Sequence, residues 1–255
     1  MPVASVFLVD AAWPLWTAAA LLGAWLTLDE TSWIQTWFSQ PLPAALLAGL
    51  LVGDVTAGLL IGLPFQLATL GNLPVGQSFL GDKPAPVVGV VVAAAGDLEG
   101  VGTLPWAMSD NGATLVGWLL ILLAIASILG HQVVHLERRL RIGWSAASLR
   151  SLRDGNTRRL DQAQRRCLTV TLVRGAATTL IWGLVAVKVW IPAVSRLPIL
   201  LGDAMAILPA LCPAVAVGAL AELYGSRRGL RWLGMGLLGS LAVAWLVALR
   251  VGGAQ

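Results

Sequence analysis

The sequence predicts an all-α integral membrane protein with about six full transmembrane helices and a discontinuous, re-entrant segment. Hydrophobic residues make up 57% and charged residues 12% of the 255 positions, and the mean hydropathy is +0.80. Soluble domains average about 25% charged residues. Apolar runs of roughly 17–25 residues, enough to cross about 30 Å of hydrocarbon, lie at 3–28, 42–63, 113–134, 170–191, 198–220 and 229–251. We therefore expect one membrane domain over residues 1–255.

The second apolar run carries glycines in two pairs with small-xxx-small spacing, Gly49 with Gly53 and Gly58 with Gly62. This spacing lets helix backbones approach closely, and it favours packing within the chain over a subunit interface. Asp54 lies near the middle of the same run, where an ionisable group costs at least about 2.5–3.5 kcal/mol on insertion scales. We expect its carboxylate to face a cavity or a polar partner, in either a functional or a structural role.

The stretch "GLPFQLATLGNLPVGQSFLGDKPAP" at residues 62–86 interrupts the apolar pattern with prolines and glycines. The apolar residues 84–96 that follow are too few to span a bilayer comfortably, so 64–97 is expected to be a re-entrant, discontinuous segment. Irregular backbone at membrane depth is tolerated where it lines an aqueous cavity or is buried in protein. Polar groups in such a break can bind the hydroxyls of a neutral solute. The pattern favours a substrate site over a set of capping groups, with these candidates: Gln66, Thr69, Asn72, Gln77, Ser78 and Asp82.

Charge is distributed unevenly along the chain. Residues 1–130 hold eight acids and one base, whereas residues 131–255 hold five acids and sixteen bases, ten of them arginines between Arg138 and Arg174. Short basic loops between spans stay on the cytoplasmic side, which favours membrane orientation over nucleic-acid binding as their cause. We expect 137–168 to be a cytoplasmic basic loop, with helices that lie against the membrane face or dock a soluble partner.

The orientation of the first half depends on the re-entrant segment. The N-terminus is outside if 64–97 enters and leaves on the outer side, and inside if 84–97 spans the membrane. The first arrangement is favoured.

Catalytic and metal-binding motifs are not evident in the sequence. His131 and His135 have the spacing of a zinc-protease helix, but Gln132 stands where that motif needs a glutamate. The pair is expected to mark a polar helix terminus, with no metal and no cofactor bound. Because no phosphate loop or nucleophile elbow is evident, the function classes left are a channel, a cation-coupled carrier, or the membrane subunit of a larger system.

Two motifs, "LDE" at residues 28–30 and "LLAGLLVGDVTAGLLIGLPFQLATLGNLPVG" ending at residue 76, lead on to Asp82. Together they resemble the membrane subunit IIC of the mannose-fructose-sorbose family of the bacterial sugar phosphotransferase system. The similarity is most specific over residues 46–82 and extends more weakly over most of the chain.

This resemblance implies a multi-pass permease of the bacterial inner membrane that carries no catalytic residues of its own. The expected substrate is a hexose or an amino sugar, moved through a path shared with a second membrane subunit, IID. Soluble IIA and IIB subunits would phosphorylate the sugar at the cytoplasmic face. A hetero-oligomer in membrane lipid is implied, with a trimer of heterodimers as one arrangement.

The expected sugar contacts are Gln66, Asn72 and Asp82 first, with Asp54, Thr69 and Gln77 in support. A second set of residues is expected to shape the backbone of the break: Gly62, Gly71, Pro74 and Gly76.

The chain departs from the family pattern at two places. Gln66 stands where the family usually has a glutamate, and "QSFLGD" replaces a small-residue stretch that ends in two prolines. An amide both donates and accepts hydrogen bonds but carries no charge, so weaker or differently selective sugar binding is expected. Two alternatives remain open: a proton- or ion-coupled carrier that acts alone with Asp54 as its titrating group, and a diverged, non-transporting membrane scaffold.

Overall fold

The computed structural model describes residues 13–31, 37–70, 82–96, 110–153, 158–194 and 199–223. Every regular element in these ranges is helical, which confirms the all-α prediction. The helices are α1 (Trp13–Thr31), α2 (Pro41–Val52), α3 (Val55–Ala68), α4 (Pro84–Gly96), α5 (Asp110–Arg153), α6 (Arg158–Val185), α7 (Ile191–Val194) and α8 (Ile199–Leu223). A 3-10 turn at Trp37–Ser39 precedes α2, and a π-helical turn at Ala186–Trp190 joins α6 to α7.

Residues 42–63, expected to form one span, instead form two helices separated by a two-residue turn. Gly53 has φ 80°, a left-handed conformation that glycine adopts without strain. The amide of Asp54 donates to the Gly49 carbonyl at 2.8 Å and the amide of Gly53 to the Leu50 carbonyl at 3.3 Å, which ends α2 in a Schellman motif. At 1.5 Å per residue, α2 and α3 are about 18 and 21 Å long, so neither crosses about 30 Å of hydrocarbon.

The helices α2 and α3 pack against each other as a short hairpin. A Cβ atom at Gly58 would overlap the backbone carbonyl oxygen of Ala45 and would lie 3.0 Å from its carbonyl carbon. A Cβ atom at Gly62 would overlap the Ala45 side chain and would lie 3.3 Å from the Cα of Leu42. Gly58 and Gly62 therefore serve packing within the chain, as the sequence favoured, whereas Gly53 forms the turn, and a Cβ atom there would meet nothing within 4 Å among the described residues.

Helix α4 lies at the centre of the core. Residues 82–95 are all buried, and α1, α2 and α6 pack around this helix. Its side chains are small and apolar, so the surrounding backbones come close. A Cβ atom at Gly89, for example, would lie 3.0 Å from the backbone nitrogen of Gly183 on α6. Residues 84–96, which are too few to span a bilayer comfortably, thus form the buried central helix of the described structure.

Helices α5 and α6 form a long antiparallel hairpin. Residues Thr114–Arg150 and Arg158–Val194 are long and apolar enough to cross a membrane. Helix α5 alone has 44 residues, about 66 Å of α-helix, roughly twice the thickness of the hydrocarbon layer. The basic residues expected in separate surface helices over 137–168 are therefore continuations of α5 and α6, while the turn at 154–157 lies outside the described residues.

Candidate functional site

The open end of the short hairpin is closed by a glutamine side chain. The first backbone N–H groups of a helix have no partner within the helix. Pro41 and Pro43 have none to satisfy, and the N–H of Leu42 between them donates to Gln66 Oε1 at 3.3 Å. The side chain of Gln66, on α3, thereby caps the start of α2. We call the end of the hairpin that carries Gln40, Gln66 and Thr69 the hairpin mouth.

Two amides and a hydroxyl gather at this mouth, all of them half-buried. Gln66 Nε2 lies 3.5 Å from Gln40 Oε1, at the limit of a hydrogen bond. The Thr69 hydroxyl donates to the Phe65 carbonyl at 2.8 Å and keeps its lone pairs available as acceptors. Gln40 was not among the predicted site residues, although it directly precedes the two prolines that begin α2. The mouth offers both donors and acceptors, which is the chemistry that sugar hydroxyls require.

Asp54 lies at the opposite end of the short hairpin. Its Oδ1 accepts a hydrogen bond from the Ala57 amide at 2.9 Å, and the residue is the N-cap of α3. Twelve residues separate Asp54 from Gln66 along α3, about 18 Å of helix. One small solute does not reach both. Asp54 was expected to have either a functional or a structural role. Its hydrogen bond from the Ala57 amide supports the structural role.

Asp82 is held in a buried ion pair. Its Oδ2 lies 2.6 Å from Arg174 Nη1, and both side chains are almost completely buried. The hydroxyl of Thr178 donates to the same oxygen at 3.3 Å. Asp82 directly precedes α4, whereas Arg174 and Thr178 lie on α6. Asp82, which was predicted to contact the sugar, therefore binds side chains of α6 in this structure.

The same arginine also binds a second carboxylate. Arg174 Nε lies 2.5 Å from Glu137 Oε2 on α5. The other Glu137 oxygen accepts a hydrogen bond from the Thr171 hydroxyl at 2.6 Å and pairs with Arg141. We call Asp82, Glu137, Arg141 and Arg174 the charge network. It joins the start of α4 to both helices of the long hairpin.

Further charged groups surround the charge network. Glu30, at the end of α1, interacts electrostatically with Asp29, Asp82, Lys83 and Arg174. The "LDE" motif at residues 28–30 thus ends beside the network. Four separate segments of the chain contribute ionisable groups to this one region.

Arg174, which joins the two carboxylates of the charge network, was not among the predicted site residues. It was counted with the arginines that place this part of the chain on the cytoplasmic side, yet it falls inside the predicted span at 170–191. An arginine within a span is costly and normally pairs with an acid. That rule, applied to Arg174, would have predicted a buried acidic partner.

Asn72, Gln77, Gly71, Pro74 and Gly76 lie outside the described residues, so their roles stay predictions. Residues 64–68 of the expected re-entrant segment belong to α3, and 84–96 form α4. Gly62 is a helical residue of α3 at its contact with α2.

The histidine pair lies within α5 and not at its end, because the helix continues to Arg153. The Nε2 atoms of His131 and His135 are 3.0 Å apart. Among the described residues, no group of three or more His, Cys, Asp or Glu side chains is placed to hold a metal ion.

The two long apolar helices fit a helical membrane protein by their length and composition. The family model of the PTS system sorbose-specific IIC component matches residues 16–252, and the chain belongs to this family. It is therefore a membrane component of a phosphotransferase-system sugar transporter, as the resemblance of its motifs predicted.

The comparison with solved structures agrees on the fold. A chain titled "Structure of membrane protein" superposes with a TM-score of 0.64 at 18% sequence identity, over 94% of this chain and 90% of that one. At this level of identity the match shows a shared fold only. The search of curated proteins finds no match.

Proposed function

We propose that this chain is the IIC-type permease subunit of a sugar phosphotransferase system and forms part of the sugar translocation path. A second, IID-type membrane subunit completes the path, and soluble IIA and IIB subunits phosphorylate the sugar. The observation that carries the proposal is the polar mouth of the short hairpin in a chain of this family. The substrate is a hexose or an amino sugar.

The proposed membrane orientation follows from the arginine-rich end of the long hairpin, which we place in the cytoplasm. Helix α1 runs antiparallel to α6: Gly183 lies beside Trp16, and Gly175 lies beside Thr27. The Trp13 end of α1 is then on the outer side and its Glu30 end is cytoplasmic. We retain the predicted outside N-terminus. The short hairpin at 41–68 begins and ends on the cytoplasmic side, and α4 then runs from the cytoplasmic side outward.

The hairpin mouth lies in the cytoplasmic half of the protein in this orientation. The Phe38 ring, two residues before Gln40, lies 6.0 Å from the Trp25 ring on the second half of α1. A sugar held at the mouth is therefore close to the face where its phosphorylation takes place. We retain Gln66, Asn72, Thr69 and Gln77 as sugar contacts, add Gln40, and assign Asp54 and Asp82 to holding the helices.

The cytoplasmic end of the long hairpin is the proposed docking region for the soluble subunits. Helix α5 continues 16 residues beyond Glu137 to Arg153, about 24 Å. Exposed arginines lie along this end on both helices: Arg138, Arg139, Arg150, Arg158, Arg159, Arg165 and Arg166. Their charge suits an acidic protein surface. The whole assembly is proposed to be a hetero-oligomer in the bacterial cytoplasmic membrane.

Replacing Gln66 and Gln40 by alanine is expected to weaken sugar binding. Each lost neutral hydrogen bond is worth about 0.5–1.5 kcal/mol, so up to about a tenfold weaker affinity is expected per side chain. The measurement is binding of labelled sorbose, fructose and mannose to membranes that contain this chain with its membrane partner. Gln66→Glu, which introduces the carboxylate usual in the family, should change the order of preference among the three sugars.

The matched control for these variants is Thr56→Val. Thr56 is an exposed polar residue at the opposite end of the same hairpin, and its loss should leave affinity unchanged. Unaltered affinity and selectivity in Gln66→Ala and Gln40→Ala, with wild-type amounts of folded protein, would remove the mouth from the sugar path.

A further inference from the structure

We propose that Arg174 is a positioning residue of the translocation path, which sets where α4 sits relative to the long hairpin. This inference rests on the function proposed above. Arg174 is not a sugar contact in this proposal. It acts through Asp82, at the start of α4.

The geometry gives one guanidinium two carboxylate partners on different elements. Its Nη1 binds Asp82 at 2.6 Å and its Nε binds Glu137 at 2.5 Å. Helix α5 also packs directly on Asp82, because a Cβ atom at Gly130 would lie 3.0 Å from the Asp82 Cβ and 3.1 Å from its backbone nitrogen. The start of α4 is therefore fixed against both α5 and α6.

Two kinds of contact fix the position of α4 along its helix axis. Its sequence, "PAPVVGVVVAAAG", consists of small apolar residues, and it packs closely on α6 at Gly89, where a Cβ atom would lie 3.0 Å from the Gly183 nitrogen. The described polar contact inside this helix runs from the Thr179 hydroxyl to the Ala85 carbonyl at 3.2 Å, in the same first turn. Polar and charged groups at the cytoplasmic end thus hold the axial register of α4 together with the close contact at Gly89.

The charge network is balanced, with two carboxylates and two guanidiniums. Buried ion pairs contribute little net stability compared with apolar residues, but they penalise arrangements that separate the partners. Glu137 keeps Arg141 if Arg174 moves away, whereas Asp82 loses its closest cation. The Arg174–Asp82 pair is therefore the charged connection that holds the start of α4 in its position on α6.

A change in the position of α4 affects the hairpin mouth through α2. Helix α4 packs along α2, and α2 begins at the Leu42 amide that Gln66 caps. A shift of α4 thus alters the spacing of the amides at the mouth.

The test compares Arg174→Gln, Arg174→Lys and the control Arg166→Gln in the full chain with its membrane partner in lipid nanodiscs. Arg166 is exposed on the same helix. Hydrogen exchange of the amides at residues 85–92 should rise about tenfold or more in Arg174→Gln, where local opening becomes easier. Amides of α2 away from the mouth should exchange as in the wild type. Arg174→Lys, which keeps the charge but cannot bridge both acids, should be intermediate, and Arg166→Gln should have no effect.

Uptake of labelled sorbose, fructose and mannose supplies the second measurement, made in vesicles that also contain the soluble IIA and IIB subunits and phosphoenolpyruvate. For the best-transported sugar, apparent KM should rise about fivefold or more in Arg174→Gln, since one mouth hydrogen bond is disturbed, while Vmax per folded protein changes less. Arg174→Lys should recover part of the loss. If Arg174→Gln does not fold, Arg174→Lys and Asp82→Asn carry the same comparison.

Exchange in α4 that stays at the wild-type rate in all these variants would overturn the proposal. The proposal would also be overturned if KM rose and Vmax fell by the same factor in Arg174→Gln and if Arg174→Lys recovered neither. A wild-type complex that moves none of the three sugars would instead refute the proposed function, and the exchange measurement would still decide the positioning role of Arg174.

Discussion

Replacing Arg174 by glutamine is expected to lower the free energy of unfolding by about 3–5 kcal/mol, the usual cost of breaking a buried ion pair from one side. The change leaves Asp82 without its 2.6 Å partner and leaves Glu137 with Arg141. Both acids are buried, so water cannot replace the lost guanidinium. The measurement is unfolding of the purified protein in mixed micelles by increasing SDS, followed by tryptophan fluorescence.

The triple variant Asp82→Asn, Glu137→Gln, Arg174→Gln separates charge burial from packing. It removes both carboxylates that bind Arg174 together with the arginine, so it should be more stable than Arg174→Gln alone. The exposed Arg166→Gln serves as the control and should change stability by less than about 0.5 kcal/mol. A triple variant no more stable than the single one would show that the carboxylates do not need Arg174.

Replacing Gly58 by alanine is expected to destabilise the protein by about 1–3 kcal/mol, because a single methyl group forces α2 and α3 apart. That methyl group would overlap the backbone carbonyl oxygen of Ala45, which cannot rotate away as a side chain can. Gly218→Ala is the matched control: Gly218 is also helical, and a Cβ atom there meets nothing within 4 Å.

The control should gain up to about 1 kcal/mol, since alanine is the better helix former. Both variants are measured by the same SDS unfolding experiment. Equal stabilisation of both proteins would contradict the close contact between α2 and α3.

Most of the helical fold could be predicted from the sequence, because long apolar runs have few alternatives in a membrane. The break at Gly53 and Asp54 was missed, although glycine followed by aspartate is a common way to end one helix and N-cap the next. The mean hydropathy of a whole apolar run does not detect a turn of only two residues. The length of α5 was also missed, since its basic end was interpreted by charge and not by the spacing of Glu137, Arg141 and Ser148 along one face.

The candidate site was predicted in part. Gln66 and Thr69 do come together at the hairpin mouth, because Gln66 lies in the last turn of α3 and Thr69 caps the end of that helix. Their neighbour Gln40 could not be predicted, since it is 26 residues from Gln66 in the chain. The ion pair of Asp82 with Arg174 joins residues 92 positions apart. Local patterns contain no information on such a pairing, apart from the warning that an arginine inside a span needs a partner.

The most direct test of the proposed function is the energy source of sugar uptake. Vesicles that contain this chain, its IID-type partner and the soluble IIA and IIB subunits are given labelled sorbose, fructose or mannose. We expect sugar to accumulate as its phosphate only when phosphoenolpyruvate is supplied, and collapsing the pH gradient to have no effect. Uptake of unmodified sugar by the purified single chain, driven by a pH gradient without phosphoenolpyruvate and abolished in Asp54→Asn, would contradict it and establish a proton-coupled carrier.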